Sequence, residues 1–460
     1  MVFSSISFLF IILPLFLLGD LAARTARSVC LRNSVLLAVS LLFYTWGESA
    51  TVFVLVALSI FNYLAGGILH RGKNPRLILG LSVGVNLAVL IGYKYTFWLV
   101  SLIVPGLLTN TINMPLGISF FTFHAISYLI DIFRKTIPPA STPLNFFAYF
   151  CMFPHLVAGP IVRYAQVQHD LEQRGPDRNL FAFGVFRFLL GLNKKVLIAN
   201  FVAQLADAAF EASKTGHLSG YDAWIGISAY AIQIYFDFSG YSDMAIGLAA
   251  MAGFHFEENF KRPYSANSIR EFWKRWHISL SSWLRDYLYI PLGGSRGGSL
   301  TTYRNLLFVF LVCGIWHGAD ATFVIWGAWH GAFLILERLP AGRVLEILPA
   351  ILRRCYMALV VLVGWVFFRA DNFDSAVVYL SNMFTLRMAP FTFSYFALPL
   401  SVLAIGVFLC LIPDRLVPTP TSHKETEYSL AAFYLQAILG IASIGALLTS
   451  THNPFIYFNF

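Results

Sequence analysis

The chain has 460 residues, 58% hydrophobic and 12% charged, against about a quarter charged in an average soluble domain. That balance excludes a soluble globular enzyme and points to a polytopic membrane protein. The formal net charge of +9 would suggest nucleic acid in a soluble protein, but here the cations fall in short loops between apolar runs, where positive-inside topology explains them and no nucleic-acid partner is implied.

Backbone groups in lipid must be satisfied internally, so long apolar runs imply an all-α fold, and the alternating segments of a membrane β-barrel are absent. Spans are expected at 4–22, 33–47, 51–69 and 77–93. Arg24, Arg27 and Arg32, then Arg71, Lys73 and Arg76, mark cytoplasmic loops, whereas Glu48 and the amino terminus at Met1 belong outside the cytoplasm. The first run has no Lys or Arg before it and reads as a retained span. Past Lys94, 96–108 is short for a span, 113–133 carries His124 and Asp131, and 144–161 carries His155. A polar loop at 162–180 leads to 180–209, where Lys194 and Lys195 suggest a helix leaving the membrane or snorkelling at its edge. Asp237 and Asp243 fall in the apolar segment 224–254, and each costs about 2.5 to 3.5 kcal/mol in hydrocarbon, so both should face a cavity or a partner. Spans resume at 303–316, 321–337, 355–368, 394–413 and 429–450. The total is about ten to twelve transmembrane helices plus re-entrant or interfacial amphipathic pieces. With no repeat or linker, 1–460 reads as a single domain. The five cysteines have no ligand spacing and read as small core residues.

Between 262 and 331 the pattern changes. Trp273, Trp276, His277, Leu280, Trp283, Leu284, Tyr287 and Leu288 recur at helical spacing, with Lys274, Arg275, Arg285 and Asp286 opposite, which predicts one amphipathic helix from 268 to 288. Ser268 with Glu271 three residues later is a capping-box signature for its start. Pro291 to Gly298 is a glycine-rich turn without the strand-turn-helix context of a nucleotide loop. Two Trp-His-Gly triplets follow, ending in Gly318 and Gly331. At about 100° per residue, His317 and His330 fall on opposite faces of a single helix and converge only if the chain turns at Gly318 to Thr322. A metal site on His277, His317 and His330 lacks any carboxylate or cysteine at ligand spacing, and no metal is expected.

Four blocks, Phe153–Pro160, Tyr235–Gly247, Glu271–Ser281 and Gly314–Gly318, resemble the membrane-bound O-acyltransferase family. The likeness extends from the opening Met1 block to the closing stretch Pro454–Phe460, and it points to the bacterial branch that acetylates exopolysaccharides. It implies that fold, a catalytic core over about 113–338, and O-acetyl transfer at the bacterial inner membrane with a periplasmic amino terminus. The polymer implied is alginate first and acetylated cellulose next, although the polar stretch Pro418–Glu427 is shorter than in typical alginate subunits. His317 would be the essential embedded histidine and His277 its partner, where many eukaryotic members carry asparagine.

Acetyl-CoA is the implied donor, and a periplasmic SGNH-type O-acetyltransferase or another exopolysaccharide-modification subunit the implied partner. A neutral imidazole can act as general base on a hydroxyl, and His277 or a backbone N–H near it could hold the oxyanion. Arg270, Lys274, Arg275, Arg285 and Arg296 could meet the phosphates of coenzyme A or anchor to lipid headgroups. Asp237, Ser239, Tyr241, Asp243, Trp276, Trp316, His330 and His155 are the expected cavity lining. D-alanyl transfer to an envelope polymer and a proton-coupled transporter with Asp237 and Asp243 in its relay are the alternatives.

Overall fold

The structure, a computed structural model, describes residues 2–48, 50–104, 113–385, 396–412, 430–449 and 456. Met1, Pro418–Glu427, the closing block apart from Ile456, and parts of the expected spans 96–108, 394–413 and 429–450 lie outside the described residues.

The described chain is helical, without a strand. In order the helices are α1 (Phe8–Thr25), α2 (Val29–Gly47), α3 (Val52–Arg71), α4 (Pro75–Lys94), α5 (Thr96–Ile103), α6 (Ile118–Phe133), α7 (Pro143–Phe150), α8 (Phe153–Leu156), α9 (Tyr164–Gln173), α10 (Arg178–Asn193), α11 (Asn200–Lys214) and α12 (Gly220–Ala252). They continue with α13 (Ile269–Arg275), α14 (Ile278–Leu284), α15 (Gly298–His317), α16 (Ala321–Leu336), α17 (Arg343–Ile347), α18 (Ala350–Arg369), α19 (Phe373–Met383), α20 (Ala397–Leu411) and α21 (Leu430–Thr449). Seven described helices are long and apolar enough to cross a membrane: α1 to α4, α15, α18 and α21. Shorter apolar helices are α6, α16 and α20. The 33 residues of α12 extend about 50 Å at about 1.5 Å per residue, more than a bilayer core of about 30 Å.

Three expectations need correction. The segment 144–161 is not a span: Pro143 opens α7, Pro154 lies in the four-residue α8, and the chain then runs irregular and buried to Val162. Lys195 does not snorkel. It lies in a π-turn over Lys194–Ala199, is 2% exposed, and places its ammonium 2.8 Å from Asp237. Cys30 and Cys355 are exposed, while Cys151, Cys313 and Cys410 are buried.

The chain forms two compact units. One comprises 1–192, 241–257 and 428–449, and the other 193–240, 258–427 and 450–460. In the first, Asn62 and Asn86 exchange amide hydrogen bonds of 2.8 and 3.0 Å between α3 and α4, a polar lock of the kind that holds helices together where lipid supplies no hydrophobic drive. Asp20 accepts from Arg24 at 2.6 Å and from Arg32 at 2.8 Å, and Arg32 also donates to the carbonyls of Ala252 and Arg174. Charges this deep hold because each has partners.

In the second unit α15 runs to His317, the chain turns through Gly318 to Asp320, and α16 runs back, with Asp320 accepting from the Thr322 N–H at 2.9 Å. The two helices meet backbone to backbone. A Cβ on Gly314 would lie 2.2 Å from the Phe323 carbonyl oxygen, and one on Gly327 would lie 2.2 Å from that of Phe310. At the far end of α16, the Glu337 carboxylate accepts from the N–H groups of Ile269 and Arg270 at 2.6 and 3.0 Å and so caps α13.

The predicted helix over 268–288 is broken. It becomes α13, α14 and a π-turn at Arg285–Tyr289, because His277 stands at φ 43°, ψ 57°, in left-handed backbone that no continuous helix contains. The stripe still points inward, with Trp273, Trp276, His277, Leu280, Trp283, Leu284 and Tyr287 all buried. Ser268 accepts from the Glu271 N–H at 3.1 Å as the capping box requires, but Glu271 reaches past Ser268 to the Asn267 N–H.

Candidate active site

The break at His277 is held by one asparagine. The Asn259 backbone carbonyl accepts from the Ile278 N–H at 2.9 Å. Its side-chain Oδ1 accepts from the N–H and the hydroxyl of Ser279 and lies 3.2 Å from His277 Nδ1. An oxygen facing those donors is an acceptor, so Nδ1 carries the imidazole proton and Nε2 keeps its lone pair. The ring is 0% exposed. Burial pushes it down to about 3, so His277 stays neutral at physiological pH.

His317 is the last residue of α15 and is 3% exposed. Its walls are aromatic: Trp316 at 4.8 Å, Trp326 at 5.1 Å and Phe368 at 5.1 Å between ring centroids, all edge to face. The Trp316 ring also lies 6.3 Å from His277, so one indole touches both imidazoles. Phe238 packs edge-on to His277 at 4.7 Å. Trp276 packs against Phe272, Phe260 and Trp365. The turn at Gly318 brings His330 back to the same cluster, where it meets Trp326 at 5.2 Å and its Nδ1 accepts from Trp273 Nε1 at 3.4 Å.

Ser239 is buried in this second unit, and Asp237 accepts from Lys195 and from the Ile456 N–H. The remaining expected lining residues, His155, Tyr241 and Asp243, belong to the first unit. There Asp243 is held by Arg187 at 2.7 Å, Tyr241 stacks on Phe3 at 4.4 Å, and His155 stacks on His124 at 4.4 Å while its Nε2 donates to the Tyr149 carbonyl. Carboxylates neutralised by buried cations are poor members of a proton relay, which weakens the transporter reading.

The five basic residues proposed for phosphate contact separate by partner. Arg275 is paired with Glu271 and Arg285 with Asp286. Arg270, Lys274 and Arg296 are exposed. Arg270 lines a cavity of about 550 Å³ with Arg338 and Arg343, the carboxylates of Glu337 and Glu346, and Thr302. This cavity lies at the start of α15, whose 20 residues separate it from His317 by about 30 Å. Sequence reasoning missed Asn259 and Trp326. Asn259 lies in a polar stretch with no motif, and its contact with His277 is made across 18 residues. Trp326 stands in the apolar run before the second triplet, and nothing local separates it from ordinary core.

A multi-pass helical membrane protein with dry, aromatic-walled histidines is the class that fold and site define. The membrane-bound O-acyltransferase family matches residues 135–344. A probable alginate O-acetylase of Azotobacter vinelandii is 45% identical over 84% of this chain and 78% of its own length. A peptidoglycan O-acetyltransferase of Helicobacter pylori is 34% identical over 84% of this chain and 80% of its own length. More distant is a teichoic acid D-alanyltransferase of Bacillus subtilis, 27% identical over 45% of this chain and 55% of its own length. The chain belongs to the membrane-bound O-acyltransferase family and is an O-acyltransferase.

Proposed function

We propose that this protein takes acetyl from acetyl-CoA at the cytoplasmic face of the bacterial inner membrane and delivers it for O-acetylation of an exopolysaccharide, alginate first and acetylated cellulose next. The observation that carries the reading is the pair of buried imidazoles that both pack against Trp316. His317 acts as general base on the acceptor hydroxyl, and His277, a neutral imidazole whose Nε2 can accept, orients that hydroxyl. The likeness to O-acetylating relatives is longer and deeper than the likeness to the D-alanyl transferase, which favours acetyl as the group carried. The start of α15 gathers Arg270, Arg338 and Arg343 with Glu337 and Glu346. The helix length of about 30 Å from there to His317 exceeds the reach of a pantetheine arm, so that cavity is too distant to hold the phosphates of coenzyme A while its thioester meets the imidazole. The positive-inside rule puts that end in the cytoplasm and the amino terminus in the periplasm. The final acceptor is reached through a periplasmic SGNH-type O-acetyltransferase or another modification subunit, and 113–338 carries the catalytic core. His317→Ala should abolish polymer acetylation while the protein still inserts and purifies as a folded species. Normal polymer acetate in that variant refutes the reading.

A further inference from the structure

We propose that the indole N–H of Trp326 is the hydrogen-bond donor for the acyl oxygen during transfer, which makes Trp326 a catalytic residue. The proposal rests on the reading of His317 as general base.

Trp326 is 1% exposed, and its Nε1 has no hydrogen-bond partner among the described residues. An indole nitrogen only donates, and leaving such a donor unmet in a dry interior costs about 1 to 3 kcal/mol. Three neighbouring indoles avoid that cost: Trp273 donates to His330 Nδ1, Trp365 to the Tyr264 hydroxyl at 3.1 Å, and Trp329 to the Val360 carbonyl at 2.9 Å. Trp326 is also the indole that α16 sets against His317, with ring planes at 86° and centroids 5.1 Å apart. Phe368 at 5.1 Å and Trp365 at 6.2 Å fix the ring from the other helix of the cluster, α18. An unmet donor held rigidly beside a general base is placed where a thioester carbonyl presented to that base would need it.

Two other local donors are directed elsewhere. His277 directs its single N–H to Asn259 and presents a lone pair at Nε2, so it accepts from the hydroxyl and has no proton to offer an oxyanion. The Gly318 N–H, next to His317, donates to the Gly314 carbonyl at 3.4 Å.

The step is written for an acyl thioester and an alcohol. The hydroxyl oxygen bonds to the carbonyl carbon as its proton passes to His317, and the carbonyl π pair moves onto oxygen, where the Trp326 N–H meets it. Collapse re-forms the carbonyl and breaks the carbon–sulfur bond, and the thiolate leaves with the proton from the imidazolium.

The test measures thiol release from acetyl-CoA by the full chain in membranes that contain its acceptor. Trp326→Phe, and a variant with 3-benzothienylalanine at 326, keep the aromatic wall and lose the N–H. Both should lower kcat by about 10²- to 10³-fold, the range seen when one oxyanion donor is removed, with KM for acetyl-CoA within about threefold of wild type. His317→Ala is measured beside them. Full activity in His317→Ala overturns the reading of the base. If His317→Ala is inactive and both Trp326 variants keep wild-type kcat, the base stands and the Trp326 proposal is overturned. A large loss in Trp326→Phe that the sulfur isostere restores assigns packing and overturns it as well.

Discussion

Replacing Gly314 by alanine should damage catalysis from a position that touches no substrate. The added Cβ would stand 2.2 Å from the Phe323 carbonyl oxygen and 3.3 Å from the Gly327 Cα. A carbon and a carbonyl oxygen approach to about 3.3 Å even in close interhelical contacts, so α15 and α16 must separate by about 1 Å. The obstructing atoms are backbone, and no rotamer change relieves them. Overpacking of this kind costs about 1 to 3 kcal/mol of stability. His317 follows three residues later on the same helix, with Trp326 facing it from the other. A misplacement of about 1 Å can cost about 10²-fold in rate, equivalent to about 2.7 kcal/mol in barrier. The assay is the initial rate of acetyl transfer in membranes, normalised to protein amount, with thermal denaturation of the solubilised protein alongside. Gly80→Ala on α4, where a Cβ meets nothing within 4 Å, is the control expected to match wild type. A Gly314→Ala protein with wild-type rate and Tm would refute the close-packing argument.

Asn259→Leu should lower kcat about tenfold or more by freeing the His277 ring and its tautomer, with smaller effect on KM for acetyl-CoA. Unchanged kinetics would remove Asn259 from the site. Because burial pushes His277 down to about 3 from about 6.5 when unfolded, the unfolded chain binds the proton more readily. Stability contributed here is therefore present above about pH 6.5 and lost as pH falls toward 3. His277→Asn should flatten that acid-side loss in a Tm-against-pH series, and an acid-side loss as steep in the variant as in wild type contradicts it. In a Cys355→Ser background, the exposed Cys30 between Arg27 and Arg32 should react with an impermeant maleimide only after the inner membrane is opened. Labelling of Cys30 in intact spheroplasts would invert the topology.

The first four spans were legible within a few residues because an unbroken apolar run leaves a helix few alternatives. The turn between His317 and Ala321 was also readable, since Gly318 and Asp320 are residues that end one helix and cap the next. The break at His277 was hidden for a physical reason: its neighbours keep helical spacing on both sides, and periodicity reports which residues face inward, not whether the backbone is continuous. Histidine's enrichment in left-handed backbone was the one faint signal. The inward turn of Lys195 was illegible because a lysine in an apolar run fits the membrane edge as well as a buried carboxylate. Its partner Asp237 lies more than forty residues away. Asn259 and Trp326 depend in the same way on contacts between distant segments.

The left-handed backbone at His277 also limits what inheritance can put there. Residues other than glycine, asparagine, aspartate and histidine are scarce at such angles, and for most the conformation costs about 1 to 2 kcal/mol. Histidine and asparagine codons differ only in their first base, so a lineage can exchange one for the other in a single mutation without passing through a strained intermediate. Either side chain can still hydrogen-bond at this position. Asparagine is then one mutational step from His277, whereas most other side chains are opposed by the backbone before any chemistry is lost.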